Sequence, residues 1–163
     1  MITNLYVKNL ALIDEIEIEF SNGLNILTGE TGAGKSIIID SINLIMGARA
    51  DKDIIRSGEA KAVVSAVFVQ NDARVAELLD AYGLPCDSDE VMIYKELCTD
   101  GKTLTKINGR AASVSALREI AKYLVTIHGQ HDNQSLLKSE SHLLYLDAFA
   151  GLENLKNQYE QAY

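Results

Sequence analysis

The sequence predicts an α/β fold, and three observations support that class. A short apolar run at 24–28 fits a buried strand, and an apolar helix pattern over 36–46, ending at Gly47, follows it across a glycine-rich turn. Strand patterns recur as apolar–charged alternation at 15–20 and as β-branched residues at 61–70. With 163 residues, 47% of them hydrophobic, the chain is long enough to bury a core. We therefore expect one domain.

The glycine-rich turn matches the phosphate-binding loop pattern G-x-x-x-x-G-K-[ST] at every position. Its residues are Gly29, Glu30, Thr31, Gly32, Ala33, Gly34, Lys35 and Ser36. Glycines let the backbone fold back and turn successive N–H groups toward the phosphates of a nucleotide. Lys35 would reach the β and γ phosphates, and the Ser36 hydroxyl would ligate Mg²⁺ at the positive end of the following helix. Since a strand precedes the loop and a helix follows it, a turn that only connects two elements is the weaker interpretation.

The residues ahead of the loop predict an antiparallel hairpin. Residues 2–9 alternate loosely and 15–20 alternate cleanly, so each strand would bury one face. Residues 21–23 form a turn that leads straight into the strand at 24–28. A β-layer of this kind ahead of the loop strand is typical of transport-type (ABC) ATPase heads, which is an analogy of fold.

A charged loop at 48–58 follows the helix and carries Arg49 and Arg56. An arginine near a phosphate-binding loop can stabilise phosphate charge, either in its own chain or in a partner. Each arginine can equally pair with Asp51 or Asp53 in a solvated loop. Both interpretations stay open for both residues.

Four further elements are predicted between this loop and residue 124. They are a strand at 61–70, a helix from a cap at 71–72 through Tyr82, a hairpin of strands 91–98 and 103–108, and a helix capped by Ser113 or Ser115 with Leu117, Ile120 and Leu124 on one face. Gly83 and Pro85 stop the first helix, and turn residues at 99–102 connect the hairpin strands. A second turn follows at 108–109.

The segment 124–134 predicts a strand that runs into a polar loop. His128, His131 and Asp132 could ligate a metal, but a zinc site needs further ligands in fixed geometry and none is evident. An amide that contacts Mg²⁺ or the attacking water, from Gln130 or Gln134, is the better interpretation beside a phosphate-binding loop.

The last 21 residues, 143–163, contain a run that could be a strand or a helix, and then a coiled-coil pattern. The run 143–147 ends on Asp147 and could be the acidic strand end that holds Mg²⁺, but its leucines lack β-branching and repeat at helical spacing. We favour a helix that stops near Gly151. Beyond it, Leu152, Leu155 and Tyr159 follow the seam spacing of a coiled coil, and the chain ends inside that pattern.

Composition excludes several classes of protein. No basic segment or long apolar run follows Met1, which predicts neither a secretory signal nor a membrane span, so we expect a cytoplasmic protein. Cys86 and Cys98 are too few for a disulfide framework and fit no zinc spacing, so both are expected to be reduced packing residues. A net charge of −8 argues against a surface that binds nucleic acid everywhere, although a local basic patch is compatible with it.

Taken together, these motifs resemble the N-terminal half of the ATPase head of the SMC-like family, along nearly the whole chain. The residues that carry the resemblance are 8–14 (Lys-Asn-Leu-Ala-Leu-Ile-Asp), 23–36 with the phosphate-binding loop, Asp40, 47–51 (Gly-Ala-Arg-Ala-Asp), 107–110 (Ile-Asn-Gly-Arg) and 127–131 (Ile-His-Gly-Gln-His). In that family an ABC-type P-loop NTPase head is split by a long antiparallel coiled coil. The resemblance implies that residues 1–150 are the N-terminal half of such a head and that 151–163 begin the coiled-coil arm.

The resemblance also implies a site and a reaction. Lys35 and Gln130 would be catalytic, and Ser36 and Gln130 would contact Mg²⁺. The residues expected to bind ATP are Lys8, Asn9, Gly29, Glu30, Thr31, Gly32, Ala33, Gly34, Lys35, Ser36, Ile37 and Arg49. Two heads would sandwich two ATP molecules, and ATP would switch head dimerisation in a bacterial, nucleoid-associated protein of DNA double-strand break repair and recombination.

The sequence lacks two motifs of the family pattern. No Leu-Ser-Gly-Gly signature occurs, and no convincing acidic strand end with a catalytic glutamate. The resemblance places both in the C-terminal half of the head, so this chain alone should bind ATP weakly and hydrolyse it poorly. DNA would be bound through the intact protein.

Two other interpretations are kept. A stand-alone P-loop kinase or GTPase would use Asp147 for Mg²⁺ and would turn over alone, although no guanine-reading Asn-Lys-x-Asp is present. An interaction module with a vestigial loop would tolerate Lys35→Ala in the intact protein.

Overall fold

The computed structural model describes part of the chain, in two compact units. The described residues are 1–29, 34–49, 51–70, 72–84, 86, 88–127, 142, 146–147, 149–152, 155 and 158–159. The first unit is Met1–Thr126 and the second is Ile127–Tyr163.

The first unit is built on a six-stranded sheet in which every neighbouring pair is antiparallel. Its strands, in chain order, are β1 (Ile2–Leu10), β2 (Ile13–Glu19), β3 (Lys61–Val69), β4 (Glu90–Cys98), β5 (Thr103–Ile107) and β6 (Arg110–Ala111). The order across the sheet is β2-β1-β3-β4-β5-β6. In the register, Val7 of β1 lies opposite Ile16 of β2 and Val64 of β3. The N-terminal hairpin and the hairpin around 99–102 are therefore confirmed.

Three helices complete this unit, and they share one core with the sheet. They are α1 (Lys35–Ile45), α2 (Ala73–Ala81) and α3 (Val114–Leu124), and a short 3-10 turn spans Lys52–Ile54. Alternate side chains of β3 and β4 are buried, which follows from the two-residue period of a strand. The core includes Leu5, Val7, Ile45, Val64, Phe68, Leu79, Ile93, Ile107, Leu117 and Ile120.

Helix ends follow the sequence signals. The Asp72 side chain accepts a hydrogen bond from the Arg74 N–H at 3.0 Å, and Ser113 Oγ accepts one from the Ala116 N–H at 3.1 Å. Ser113, and not Ser115, is therefore the cap of α3. Gly47 follows α1 with φ 91°, a left-handed conformation in which a side chain is strained.

The turn after β5 is also as predicted. Asn108 and Gly109 have φ 49° and 78°, the left-handed pair that a tight hairpin turn requires. Asn108 Oδ1 accepts the Met92 N–H at 3.0 Å, and the Asn108 N–H donates to the Met92 carbonyl at 2.9 Å. The asparagine thus ties the turn to β4.

The strand predicted at 24–28 is wrong. These residues have no regular structure, and Leu24, Ile26 and Leu27 are 86%, 72% and 47% exposed. Such a continuous apolar run is typical of a strand buried between two parallel neighbours. In the described part of the chain the strands pair antiparallel with one another and none pairs with 24–28, so these residues do not join the sheet.

The strand predicted from 124 is wrong as well for its described residues. Leu124 is the last residue of α3, and 125–127 have no regular structure. The amphipathic pattern of α3 therefore extends one residue into the run that looked like a strand. The rest of that prediction, 128–134, lies outside the described residues.

In the second unit, the predicted helix is confirmed for the described residues of the run 143–147, whereas 143–145 lie outside them. Leu146, Asp147 and Phe149 are helical. The helix ends where Gly151 adopts φ 65° and the Leu152 N–H donates to the Asp147 carbonyl at 3.0 Å. Residues 155, 158 and 159 are helical too, while the coiled-coil arm stays a prediction. None of the described helices is both long and apolar enough to cross a bilayer.

Candidate nucleotide-binding site

The start of α1 leaves its backbone donors available to an anion. Gly34 caps the helix in a left-handed conformation, φ 95°, and among the described residues no side chain caps the first turn by a hydrogen bond. A Cβ on Gly34 would meet no atom within 4 Å, so glycine is required here for its backbone angle and not for space. The unpaired N–H groups and the helix dipole together form the positive end that phosphates bind.

Lys35 is the side chain that the structure brings back to the loop. It is the first residue of α1, and its Nζ donates a hydrogen bond to the Gly29 carbonyl at the other end of the loop. Gly29 and Ser36 are both exposed, and Ile37 is half-buried. The Lys35 ammonium thus lies beside the first residue of the loop, where phosphate oxygens could replace the Gly29 carbonyl as its acceptor. Residues 30–33 lie outside the described residues.

The donors present fit a magnesium nucleotide better than a free metal ion. Across the part of the chain that the structure describes, no group of three or more His, Cys, Asp or Glu residues could hold a metal. Magnesium in nucleotide sites typically takes one or two protein oxygens and completes its shell with phosphates and water. Ser36, the second residue of α1, is exposed, so its hydroxyl is suited to be one of these protein oxygens.

Lys8 and Asn9 lie at the end of β1, where other partners hold them. Lys8 Nζ pairs with Glu15 Oε2 across the hairpin at 2.9 Å, which raises the pKa of Lys8 and lowers that of Glu15. Asn9 Nδ2 donates to Glu59 Oε2 at 3.0 Å, and its backbone has φ 54°. The Lys8 contact therefore joins β1 to β2 and the Asn9 contact joins β1 to the residues before β3, and neither hydrogen bond goes to a described residue of the phosphate-binding loop.

The two arginines of the charged loop have different surroundings. Arg56 Nη1 donates to the Leu12 carbonyl at 3.0 Å and so braces the β1–β2 turn. Arg49 is exposed and borders two shallow cavities, of about 390 Å³ with Asp51 and Lys52 and of about 320 Å³ with Asp40. Since α1 is 11 residues long, roughly 16 Å by its rise per residue, Arg49 lies beyond the end of the helix opposite to Lys35.

Two further residues predicted to take part in the site, Gln130 and Asp147, belong to the second unit. Gln130, with the neighbouring His128, His131 and Asp132, lies outside the described residues. Asp147 belongs to a helix of the second unit, which removes the strand-end geometry that made it a candidate for Mg²⁺.

Sequence reasoning missed one group at the far end of α1. Lys95 is 4% exposed, and its Nζ donates to the carbonyls of Leu44 at 3.1 Å and Ala48 at 2.9 Å. Arg118 Nε donates to the Gly47 carbonyl at 2.8 Å. A signal for Lys95 was present, because it falls in phase with the buried apolar residues of β4. No sequence pattern indicated that Arg118 would contact the end of α1.

Comparisons with known proteins give consistent results. A sequence model of the AAA domain family matches residues 4–162. The DNA repair protein RecN of Bacillus subtilis (strain 168) is 40% identical over 166 residues, covering 100% of this chain and 29% of that protein. The chain thus spans less than a third of the length of this curated relative.

Solved structures resemble the fold of the chain. The Smc head domain with an extended coiled coil from Pyrococcus furiosus, bound to the C-terminal domain of ScpA, is 26% identical with a TM-score of 0.71, covering 99% of this chain and 44% of that one. An SMC ATPase structure concerned with ATP-driven dimerisation and DNA-stimulated activation is 28% identical with a TM-score of 0.65, covering 90% of this chain and 98% of that one. The antiparallel sheet and helices described above are therefore part of an α/β ATPase-head fold.

Proposed function

This chain belongs to the AAA domain family, and from that premise we propose that it is the ATP-binding half of an SMC-like ATPase head that acts in DNA double-strand break repair and recombination. The observation that carries the proposal is the entry to α1. There no side chain of the described residues caps the helix N-terminus, and the Lys35 ammonium donates a hydrogen bond to the Gly29 carbonyl. A nucleotide triphosphate supplies the dense negative charge that this combination favours.

In the proposed site, Lys35 transfers its hydrogen bonds from the Gly29 carbonyl to the β and γ phosphates. The N–H groups at the start of α1 would hold the same oxygens, and Ser36 would ligate Mg²⁺, which neutralises phosphate charge when bound. Ile37 and the loop residues 30–33 complete the proposed nucleotide contacts. Lys8 and Asn9 are also proposed to contact the nucleotide, for which they would have to release Glu15 and Glu59. Gln130 is proposed to position the attacking water.

Arg49 is proposed to act on the phosphate of a partner head and not on its own. Its place beyond the C-terminal end of α1 separates it from Lys35 by about the length of the helix. An exposed arginine beside shallow cavities is free to reach across an interface. ATP would then promote dimerisation by placing charge between two heads.

The half-head proposal is supported by apolar surface around the site. Leu24, Ile26 and Leu27 just before the loop are largely exposed, and Ile39 on α1 is 51% exposed. Exposed apolar side chains clustered in one stretch mark a surface that another segment covers. We propose that the C-terminal half of the same head covers it and supplies the catalytic glutamate and the signature motif. Residues 1–150 would then be the N-terminal half, and 151–163 the start of a coiled-coil arm.

The names of similar proteins support the biological setting. The Bacillus subtilis relative is a DNA repair protein, and the SMC ATPase is described by ATP-driven dimerisation and DNA-stimulated activation. We extend both properties to the intact protein that contains this chain. The net charge of −8 confines its DNA contacts in this half to small patches.

Head dimerisation tests the proposal. The chain completed by its C-terminal half should dimerise with Mg²⁺-ATP in sedimentation velocity, and Lys35→Ala should abolish the shift. The matched control is Lys122→Ala, which removes an exposed lysine from the last turn of α3. Dimerisation that survives Lys35→Ala, or that needs no ATP, contradicts the proposal. In cells, the Lys35→Ala protein should fail to restore survival after induced double-strand breaks.

A further inference from the structure

Two cations close the C-terminal end of α1. Lys95 reaches through the core from β4 and donates to the carbonyls of Leu44 and Ala48, at 3.1 and 2.9 Å. Arg118 comes from α3 and donates to the Gly47 carbonyl at 2.8 Å. Leu44 lies in the last turn of α1, and Gly47 and Ala48 lie in the turn that follows it, so all three carbonyls lie at the negative end of the helix dipole. The sheet and α3 are thus both attached to the same end of the helix.

The lysine is costly to bury, which argues that its contacts matter. Lys95 is 4% exposed, and within the described ranges no carboxylate forms an ion pair with it. Burial first, and the nearby charge of Arg118 second, lower the pKa of Lys95. In the described structure its hydrogen bonds go to the Leu44 and Ala48 carbonyls, and the other buried residues of β4, Val91, Ile93 and Leu97, are apolar.

The contact between Arg118 and α1 depends on a glycine. Gly47 has φ 91°, and a Cβ at this position would lie 2.6 Å from Arg118 Cγ. The arginine stem therefore packs directly against the glycine backbone before its Nε reaches the carbonyl. A side chain on residue 47 would displace Arg118 as well as strain the turn.

Apolar packing holds α1 on one side only. Ile38, Leu44 and Ile45 are buried, whereas Ile39 is 51% exposed. A helix of 11 residues is roughly 16 Å long, so a tilt of about 10° at its far end moves its N-terminus by about 3 Å. A misplacement of about 1 Å can lower the reaction rate at an active site by about a hundredfold. Fixing the far end therefore controls where Lys35 and Ser36 lie.

We propose that Lys95 and Arg118 are positioning residues of the nucleotide site, which hold α1 by its C-terminal end so that its N-terminus faces the phosphates. This inference rests on the proposed ATP-binding function. Neither residue touches the nucleotide. They act through the helix, and they make ATP affinity depend on the contacts of α1 with β4 and α3.

The test compares variants that lose the anchors with one that loses only core packing. Lys95→Met keeps the aliphatic stem and removes the donors, and Arg118→Met does the same on α3. Leu97→Ala is the control, because Leu97 lies on the same buried face of β4 and is also 4% exposed. Each is measured for thermal stability, for amide hydrogen exchange over residues 38–43, and for equilibrium binding of a fluorescent ATP analogue by the chain completed with its C-terminal half.

We expect both methionine variants to weaken nucleotide binding by about tenfold, which corresponds to about 1.4 kcal/mol, and to speed exchange in α1 while β3 keeps its protection. Leu97→Ala should lower thermal stability and leave the affinity of the folded protein within about twofold. Equal affinity in the wild type and both methionine variants overturns the inference. The inference is also overturned if the affinity falls in all three variants in proportion to their loss of thermal stability.

The hydrogen-exchange arm separates this inference from the function on which it rests. If the wild-type protein binds no nucleotide, the proposed function fails, and exchange in α1 still reports whether Lys95 and Arg118 hold the helix. Arg118→Met guards against a Lys95 variant that does not fold, since Arg118 is exposed. Unchanged exchange over 38–43 in Arg118→Met overturns the inference in that case.

Discussion

The apolar stretch ahead of the loop gives a sharp prediction about assembly. Leu24, Ile26 and Leu27 are 86%, 72% and 47% exposed, and we expect the C-terminal half of the head to cover them. We therefore predict that Ile26→Ser weakens the association of the two halves. Serine removes the apolar area that the partner would bury and adds a hydroxyl that would have to be buried with it.

The size of the effect follows from the exposed fractions. Burying a whole aliphatic side chain contributes about 2 kcal/mol, so covering the three residues contributes roughly 4 kcal/mol when scaled by exposure. For Ile26 alone the share is about 1.4 kcal/mol, and an unpaired buried hydroxyl adds a cost of about 1 kcal/mol or more. A total of roughly 2–3 kcal/mol corresponds to a Kd raised between about 30-fold and 150-fold.

The assay is titration calorimetry of the chain with its purified C-terminal half. Met92→Ser is the matched control, since Met92 is also exposed, at 51%, but lies on the sheet face opposite to the core. We expect the control to bind like the wild type. Association of Ile26→Ser at wild-type affinity would refute the reasoning that the exposed stretch is the surface between the two halves.

Three further predictions concern the described fold. Ser113→Ala should lower the free energy of unfolding by about 1 kcal/mol in denaturant melts, whereas Ser115→Ala should change it little; equal losses would contradict the assignment of the cap. Gly109→Ala should cost about 1 kcal/mol in the same melts, because Gly109 has φ 78°, and an unchanged midpoint would contradict the strained turn. Burial, and a hydrogen bond that Tyr94 donates to Glu96 at 2.7 Å, raise the pKa of Tyr94 from 10.0 to about 12. The unfolded chain therefore loses this proton first, so stability should fall as pH rises through that interval, and Tyr94→Phe should reduce the fall. An identical pH slope in Tyr94→Phe would contradict it.

Elements with local signals could be predicted from the sequence. The cap of α3 needs only a serine ahead of an amphipathic run, and the turn at 108–109 needs only an asparagine and a glycine between strands. The entry to α1 is equally local, because the loop pattern states where the helix begins. These signals act over a few residues, so distant parts of the chain do not override them.

Elements that depend on residues distant in the chain could not be predicted from the sequence. The run at 24–28 has the composition of a buried strand, but a strand exists only where another strand pairs with it. The two anchors of α1 come from β4 and α3, and only the folded sheet brings Lys95 and Arg118 to one helix end. Arg49 follows α1 closely in sequence, yet the length of the helix separates it from Lys35.

The central claim is that this chain is half of an ATPase head, and Mg²⁺-dependent ATP hydrolysis tests it most directly. The chain alone, and the chain with its C-terminal half, are measured with and without Lys35→Ala and Asp147→Ala. We expect turnover only when both halves are present, abolished by Lys35→Ala and retained in Asp147→Ala. Turnover by the chain alone that Asp147→Ala abolishes would contradict the claim and would favour a stand-alone P-loop enzyme.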